Sequence, residues 1–201
     1  MNPTALVLLD YFGIGVFAVS GALLAAEKRQ TLVTFIFFAV VTGVGGGTLR
    51  DLLIGAPVFW LHTNATLLIC IVAALLVWMA SRRRLAGKAL LWFDAAGLAA
   101  YATYGAAKAL GYGVAPVPAF AMGVMTACVG GIIRDVLAGE PSILMRPELY
   151  VTAAALAAGL FVILSLLGMG IWIAAAIAIV GGFALRGLAI ARGWSLPAYR
   201  D

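Results

Sequence analysis

Residues 42–57, TGVGGGTLRDLLIGAP, and residues 126–141, TACVGGIIRDVLAGEP, decide the fold. Each follows an apolar run and passes through consecutive glycines to an Arg-Asp pair, then to a glycine and a proline. The two stretches lie 84 positions apart with no gap, and at that offset residues 10–61 match residues 94–145 at 16 of 52 positions. Six of these matches are Ala, Val or Leu, which an apolar composition supplies by chance. The other ten are Asp10 and Asp94, Gly13 and Gly97, Gly21 and Gly105, Thr42 and Thr126, Gly46 and Gly130, Gly47 and Gly131, Arg50 and Arg134, Asp51 and Asp135, Gly55 and Gly139, Pro57 and Pro141. The chain therefore contains an internal duplication.

Outward from the motifs, the 201 residues are 65% apolar and only 10% charged, against roughly 45–50% and 25% in soluble domains. That balance excludes a disordered chain and an ordinary soluble fold. Seven apolar stretches fill the sequence, at about Ala5 to Ala26, Leu32 to Leu49, Ala65 to Ala80, Ala89 to Ala107, Val114 to Ile133, Leu149 to Leu167 and Ile171 to Ala191. Most are near the roughly 20 residues that cross a bilayer as a helix. The fold class is an all-α membrane protein, one transmembrane domain over 1–201, with repeat 1 at about 5–80, repeat 2 at about 89–167 and an extra helix at about 171–191. Three spans per repeat mean that the second copy enters the membrane from the opposite side. Such inverted repeats are typical of transport proteins, whose path runs at the repeat interface along broken helices.

The net charge of +5 does not mark a nucleic-acid partner, because the bases sit in loops between spans and form no stripe. With alternating spans, one side receives Lys28, Arg29, Arg82, Arg83, Arg84, Lys88, Arg146, Arg192 and Arg200, and the other only Lys108. The positive-inside rule makes the first side cytoplasmic, with the N-terminus outside and the C-terminus inside. No charged region precedes the first span and no cleavage site follows it, so the span is expected to be retained. Cys70 and Cys128 fall inside spans as packing residues. His62 is the sole histidine, and no Ser-His, Cys-His or HExxH arrangement supports catalysis, a metal or a cofactor. Trp60, Trp92, Trp172 and Trp194 fall near span ends, as interfacial anchors do.

Glycine costs about 1 kcal/mol relative to Ala in a helix interior. The runs Gly45, Gly46, Gly47 and Gly130, Gly131 therefore predict breaks in the second and fifth helices that free carbonyls toward a cavity, whereas Gly13, Gly21, Gly97 and Gly105 predict close helix packing. An arginine at a span centre costs about 2.5 to 3.5 kcal/mol on insertion scales, and such charges face partners or a cavity. Eighteen residues separate Leu32 from Arg50, about 27 Å of helix, so Arg50 falls toward the outer end and Arg134 toward the inner end. The same reckoning places Asp10 with Arg50 and Asp94 with Arg134 as neutralising pairs. Adjacent residues do not face each other on a helix, so Asp51 and Asp135 are not expected to neutralise the arginines beside them. Lys108 breaks the symmetry, its counterpart being Leu24, and is the candidate gate, competing for Asp10 or reaching Asp51.

Seven spans, an outer N-terminus and paired GGGxxRD and GGxxRD motifs on the second and fifth spans together resemble the prokaryotic branch of the trimeric intracellular cation (TRIC) channel family, over essentially the whole chain. The resemblance implies homotrimers in the lipid bilayer of a bacterial or archaeal plasma membrane. Each subunit would have its own pore for monovalent cations, chiefly potassium, with sodium also permeant, lined by the kinked second and fifth helices. It points to Gly45, Gly46, Gly47 and Arg50 with Asp51, and to Gly130, Gly131 and Arg134 with Asp135, below Thr42 and Thr126. Val129 stands where the first copy has Gly45, so less bending is expected in the fifth span. The same bacterial domain carries the label glycine transporter, which makes a secondary carrier of a small neutral solute such as glycine the alternative: Arg would hold its carboxylate and Asp its ammonium.

Overall fold

The structure, a computed structural model, describes residues 3–80 and 83–197. Arg82 and Arg200, counted above among the loop bases, lie outside the described residues, as do the side chains of Arg83 and Arg84. Among the described residues there are seven α-helices: α1 Pro3–Glu27, α2 Leu32–Leu53, α3 Asn64–Ala80, α4 Arg83–Gly111, α5 Pro116–Leu137, α6 Val151–Leu166 and α7 Ile171–Arg192. Short 3₁₀ turns, Phe59–His62 and Ile143–Met145, precede α3 and α6.

Local chemistry sets the ends of the central helices. The Thr31 hydroxyl accepts from Thr34 N at 3.4 Å and opens α2, while Pro116, with its preset φ, opens α5. Both helices close alike. Gly55 at φ 68° and Gly139 at φ 67° take the left-handed conformation, in which Ala56 N donates to Asp51 O at 2.8 Å and Glu140 N to Asp135 O at 3.0 Å. Those are the 6→1 bonds of a Schellman ending, which needs a residue free of Cβ strain. The following prolines, Pro57 and Pro141, cannot resume the helix, and the chain turns back over the end it has just left.

Helix α1 packs along α4 and α2 along α5, while α3, α6 and α7 close the flanks. The α2–α5 crossing is the tightest contact. A Cβ built on Gly46 would lie 2.0 Å from the Thr126 carbonyl oxygen, and one on Gly130 would lie 2.6 Å from that of Thr42. This corrects the expected role of the glycine motifs: α2 and α5 run as uninterrupted α-helices through Gly45–Gly47 and Gly130–Gly131. The missing side chains bring two backbones together, which stabilises by packing what the glycines lose in helix propensity. Gly21 and Gly105 do the same one layer out, each leaving 2.6 Å between a built Cβ and the hydroxyl oxygen of Thr42 or Thr126.

Helices α1 (from Val7), α2, α5 and α7 are long and apolar enough to cross a membrane. Helices α3 and α6 are apolar but shorter, with 17 and 16 residues, roughly 24 to 26 Å at 1.5 Å per residue. Large apolar side chains point outward from all seven helices, Val33, Val117 and Met79 among them, a surface that suits hydrocarbon and not water.

The crossing yields a comparison between neighbours. Alanine at Gly46 meets backbone, whereas alanine at Gly45 meets only the flexible Ile133 Cδ1, at 3.0 Å. Gly46→Ala should therefore destabilise by about 1 to 3 kcal/mol, the range for overpacking, and Gly45→Ala by clearly less. Melting of both variants in detergent checks this, and equal losses would show that the backbones do not meet at Gly46.

Candidate functional site: two buried Arg-Asp clusters

Arg50 and Arg134 occupy the last turns of α2 and α5, and each is 1% exposed. With no water to solvate it, a guanidinium must find its counter-charge inside the protein. Arg50 Nε donates to Asp51 Oδ1 at 2.8 Å, and Arg134 Nε to Asp135 Oδ1 at 2.9 Å. The second oxygen of each carboxylate receives a backbone N–H eight residues on: Phe59 N to Asp51 Oδ2 at 3.1 Å and Ile143 N to Asp135 Oδ2 at 3.1 Å. One aspartate thus neutralises the arginine before it and ties down the returning chain, identically in both repeats.

Two corrections follow. Asp51 and Asp135 do neutralise adjacent arginines: Cβ directions a residue apart diverge, but at a helix end the long arginine side chain curls back to reach the neighbouring carboxylate. Asp10, expected to pair with Arg50, forms no ion pair with it among the described residues. It is buried within the electrostatic reach of Arg50 and Lys108, and its Oδ1 has no hydrogen-bond partner. Asp94 is placed differently, with Arg134 Nη1 donating to its Oδ1 at 2.6 Å. Lys108 reaches Asp51, Nζ donating to Oδ1 at 2.8 Å.

The clusters diverge where the repeats diverge. Arg134 Nη1 donates to Ser20 Oγ at 3.1 Å. The counterpart of Ser20 is Tyr104, whose ring lies 4.9 Å from the Arg50 guanidinium carbon, while the Phe59 ring sits 5.8 Å from both that carbon and Lys108 Nζ. Rings and an ammonium fill the first cluster. At the second, Leu24 and Ile143 replace Lys108 and Phe59, and a cavity of about 310 Å³ opens against Arg134 and Asp135. Glu27, Glu140 and Arg146 line its rim with Leu90 and Leu91, and Lys28 bridges to Glu140 across the mouth. That ammonium holds the Glu140 carboxyl below the usual carboxylate range. A lowered folded value means that the bridge is complete above ordinary carboxylate pKa values and is lost as the pH falls through the lowered one.

Some participants carry no sequence signal. Ser20, Phe59 and Tyr104 read as ordinary span or loop residues, and Trp60, expected as an anchor, also donates Nε1 to Thr48 Oγ1 at 2.9 Å. Arg186, 1% exposed inside α7, does carry one, since a lone arginine in an apolar span needs a partner. Its Nη2 donates to Glu148 Oε2 at 2.5 Å, and its guanidinium lies 5.4 Å from the Tyr150 ring. Tyr150 in turn places its hydroxyl 2.8 Å from a Cβ built on Gly131, beside Asp94 and Arg134. No group of three or more potential metal ligands occurs among the described residues.

A family model described as "Glycine transporter" matches the chain twice, over residues 7–82 and 91–166. The chain is 44% identical over 164 residues to a UPF0126 membrane protein of Vibrio cholerae, covering 80% of this chain and 68% of that protein. It is 43% identical over 148 residues to the inner membrane protein YadS of Escherichia coli K12, covering 72% of each. Among solved structures it superposes on the TRIC trimeric intracellular cation channel orthologue from Rhodobacter sphaeroides with a TM-score of 0.90 and 42% identity, covering 95% of this chain and 100% of that one. A second TRIC cation channel, from work on the structural basis of conductance, matches with a TM-score of 0.83 and 32% identity, covering 96% and 97%.

Removing Arg134 leaves two buried carboxylates facing each other, so Arg134→Ala should cost about 3 to 5 kcal/mol. A double-mutant cycle of Asp94→Ala with Arg134→Ala in detergent unfolding should show coupling of about 0.5 to 3 kcal/mol, and the Asp10/Arg50 cycle clearly less. Equal coupling in the two cycles would contradict the geometry.

Proposed function

The chain belongs to the trimeric intracellular cation channel family, and from that premise we propose that it is a passive channel for monovalent cations, chiefly potassium, with one pore in each subunit of a homotrimer. The observation that carries the reading is the cavity that opens against Arg134 and Asp135, at the end of α5. The loop bases support a cytoplasmic location for this cavity and an outer N-terminus. Ions would enter from the cytoplasm and pass the crossing near Gly45, Gly46, Gly47, Gly130 and Gly131, below Thr42 and Thr126. They would leave beside Asp10, Arg50 and Asp51. Arginines repel a cation only while unpaired, and here each is held by a carboxylate, so carboxylate oxygens are left to replace hydration.

The Lys108–Asp51 bond, under the Phe59 ring, supports an outer gate. An ammonium on the C-terminal part of α4 senses the membrane field, worth about 2.3 kcal/mol per charge per 100 mV over the full span. The trimer is supported by the relatives named as trimeric, and native mass spectrometry in mild detergent should report three copies. A carrier of glycine is the second reading, favoured by a cavity that opens at one cluster and is filled at the other.

Single-channel recording of purified protein in a planar bilayer separates the two, since a carrier has no unitary conductance. Potassium-carried current steps are expected, and Lys108→Met should raise open probability several-fold. Glycine-driven transport without current steps would overturn the channel reading.

A further inference from the structure

The two segments that return from the helix ends are fastened differently. In repeat 1 the segment between α2 and α3 has two ties within its own repeat: Phe59 N donates to Asp51 Oδ2 at 3.1 Å, and Trp60 Nε1 donates to Thr48 Oγ1 at 2.9 Å. Repeat 2 keeps the first tie, Ile143 N to Asp135 Oδ2 at 3.1 Å. It has lost the second, because Leu144 and Ile132 stand at the places of Trp60 and Thr48, and neither side chain can donate or accept.

The replacement comes from outside the duplication. Helix α7 packs on α4 and α6, and a Cβ built on Gly182 would lie 2.7 Å from the Cβ of Ala157 and 3.4 Å from that of Ala99. Arg186 follows one turn later on the same face, so it enters between those two helices. There its Nη2 donates to Glu148 Oε2 at 2.5 Å, in the segment between α5 and α6. Gly193, at φ 65°, then reverses the chain, and the stretch after α7 pairs with the same segment: Ser195 bridges Glu148, and Leu196 N donates to Pro147 O at 2.7 Å. Glu140, Ile143 and Arg146 of that segment line the cavity at the second cluster. Tyr150 ends it, 1% exposed, with the Arg186 guanidinium 5.4 Å from its ring. The phenol hydroxyl, beside Asp94 and Arg134, has no hydrogen-bond partner among the described residues. No bond fixes the phenol at that end, so its seat depends on the segment that carries it and on Arg186. At the same offset repeat 1 has Asn64 and Thr66 for Glu148 and Tyr150, neither a charge nor a ring.

We propose that α7 and the stretch after it clamp the mouth at the second cluster, with Arg186 as the positioning residue of that clamp. Through Glu148 it holds the cavity wall that repeat 2 no longer ties down for itself, and through the Tyr150 ring it keeps the phenol seated against Asp94 and Arg134. The mouth at the first cluster is fastened from within its own repeat and does not depend on α7. The clamp rests on these contacts; that the mouth it shapes passes ions rests on the channel reading above.

Two native thiols supply the test. Cys128 lies one turn before Gly131 on the same face of α5, within the electrostatic reach of Tyr150 and Asp94. Cys70 belongs to α3 in the other repeat, its Sγ 3.1 Å from a Cβ built on Gly43, and both cysteines are buried. Alkylation of the full-length protein by N-ethylmaleimide in mild detergent, read at each cysteine by mass spectrometry, gives two rates from one molecule. Both should be slow in the wild type. Arg186→Met and Glu148→Gln should raise the Cys128 rate several-fold and leave Cys70 unchanged. Leu196→Pro, which removes the donor to Pro147, should act in the same direction, and Arg186→Lys, which keeps the charge, should stay closer to the wild type than Arg186→Met. Equal rises at the two cysteines would mean that Arg186 supports the fold as a whole, and they overturn the proposal, as does an unchanged Cys128 rate in the folded variants. If Arg186→Met does not fold, unchanged Cys128 rates in Glu148→Gln and Leu196→Pro overturn it. A selective rise at Cys128 in a protein that gives no current steps in a planar bilayer upholds the clamp and removes the channel reading. Current steps without a selective rise do the reverse.

Discussion

A guanidinium buried in a membrane protein must be neutralised within its own reach, and the structure depends on how Arg50 and Arg134 meet that demand. The solution is local and repeated. A single aspartate, next in sequence, accepts from the arginine with one oxygen and from the backbone of the returning chain with the other. The second bond works only because Gly55 and Gly139 turn the chain through a left-handed residue, and because the prolines that follow stop the helix from continuing. Sequence order, helix ending and charge neutralisation are thus one device.

The same economy governs the centre. Four carbonyl and hydroxyl oxygens of Thr42 and Thr126 lie against glycines of neighbouring helices, so the core is held by backbone approach and not by large side chains. Fully buried alanines along α1, α4, α6 and α7 extend that pattern. In lipid, where apolar side chains gain little by leaving one hydrocarbon surface for another, close approach of backbones is the stabilisation still open to a helix bundle.

Much of this was legible in the sequence. Periodic apolar runs give the seven helices, and a constant offset gives the duplication, because both are properties of composition and order. The residues of the two clusters were also visible, since charges and glycines stand out against an apolar background. Their partners were less so. Side-chain direction says that Arg50 and Asp51 diverge, yet chain reach at a helix end outweighs it. Propensity says that Gly45–Gly47 breaks a helix, yet tertiary packing of α2 on α5 holds it straight enough to keep its hydrogen bonds. Ser20, Phe59 and Tyr104 had no signal at all: a serine or an aromatic ring in a span looks the same whether it faces lipid or an arginine.

Differences between the copies, more than their likeness, give the molecule a direction. Identical repeats would build identical mouths, and a path with two equal ends has no built-in gate. Three exchanges break the equality: Tyr104 for Ser20, Lys108 for Leu24 and Phe59 for Ile143. All three add bulk or charge to the first cluster, and two of their counterparts, Leu24 and Ile143, line the cavity at the second. Each exchange sits beside an arginine whose own pairing with its aspartate is unchanged. The asymmetry therefore leaves the device that holds the helix ends intact and acts only on the space in front of it, so that opening one mouth and closing the other need not disturb the fold.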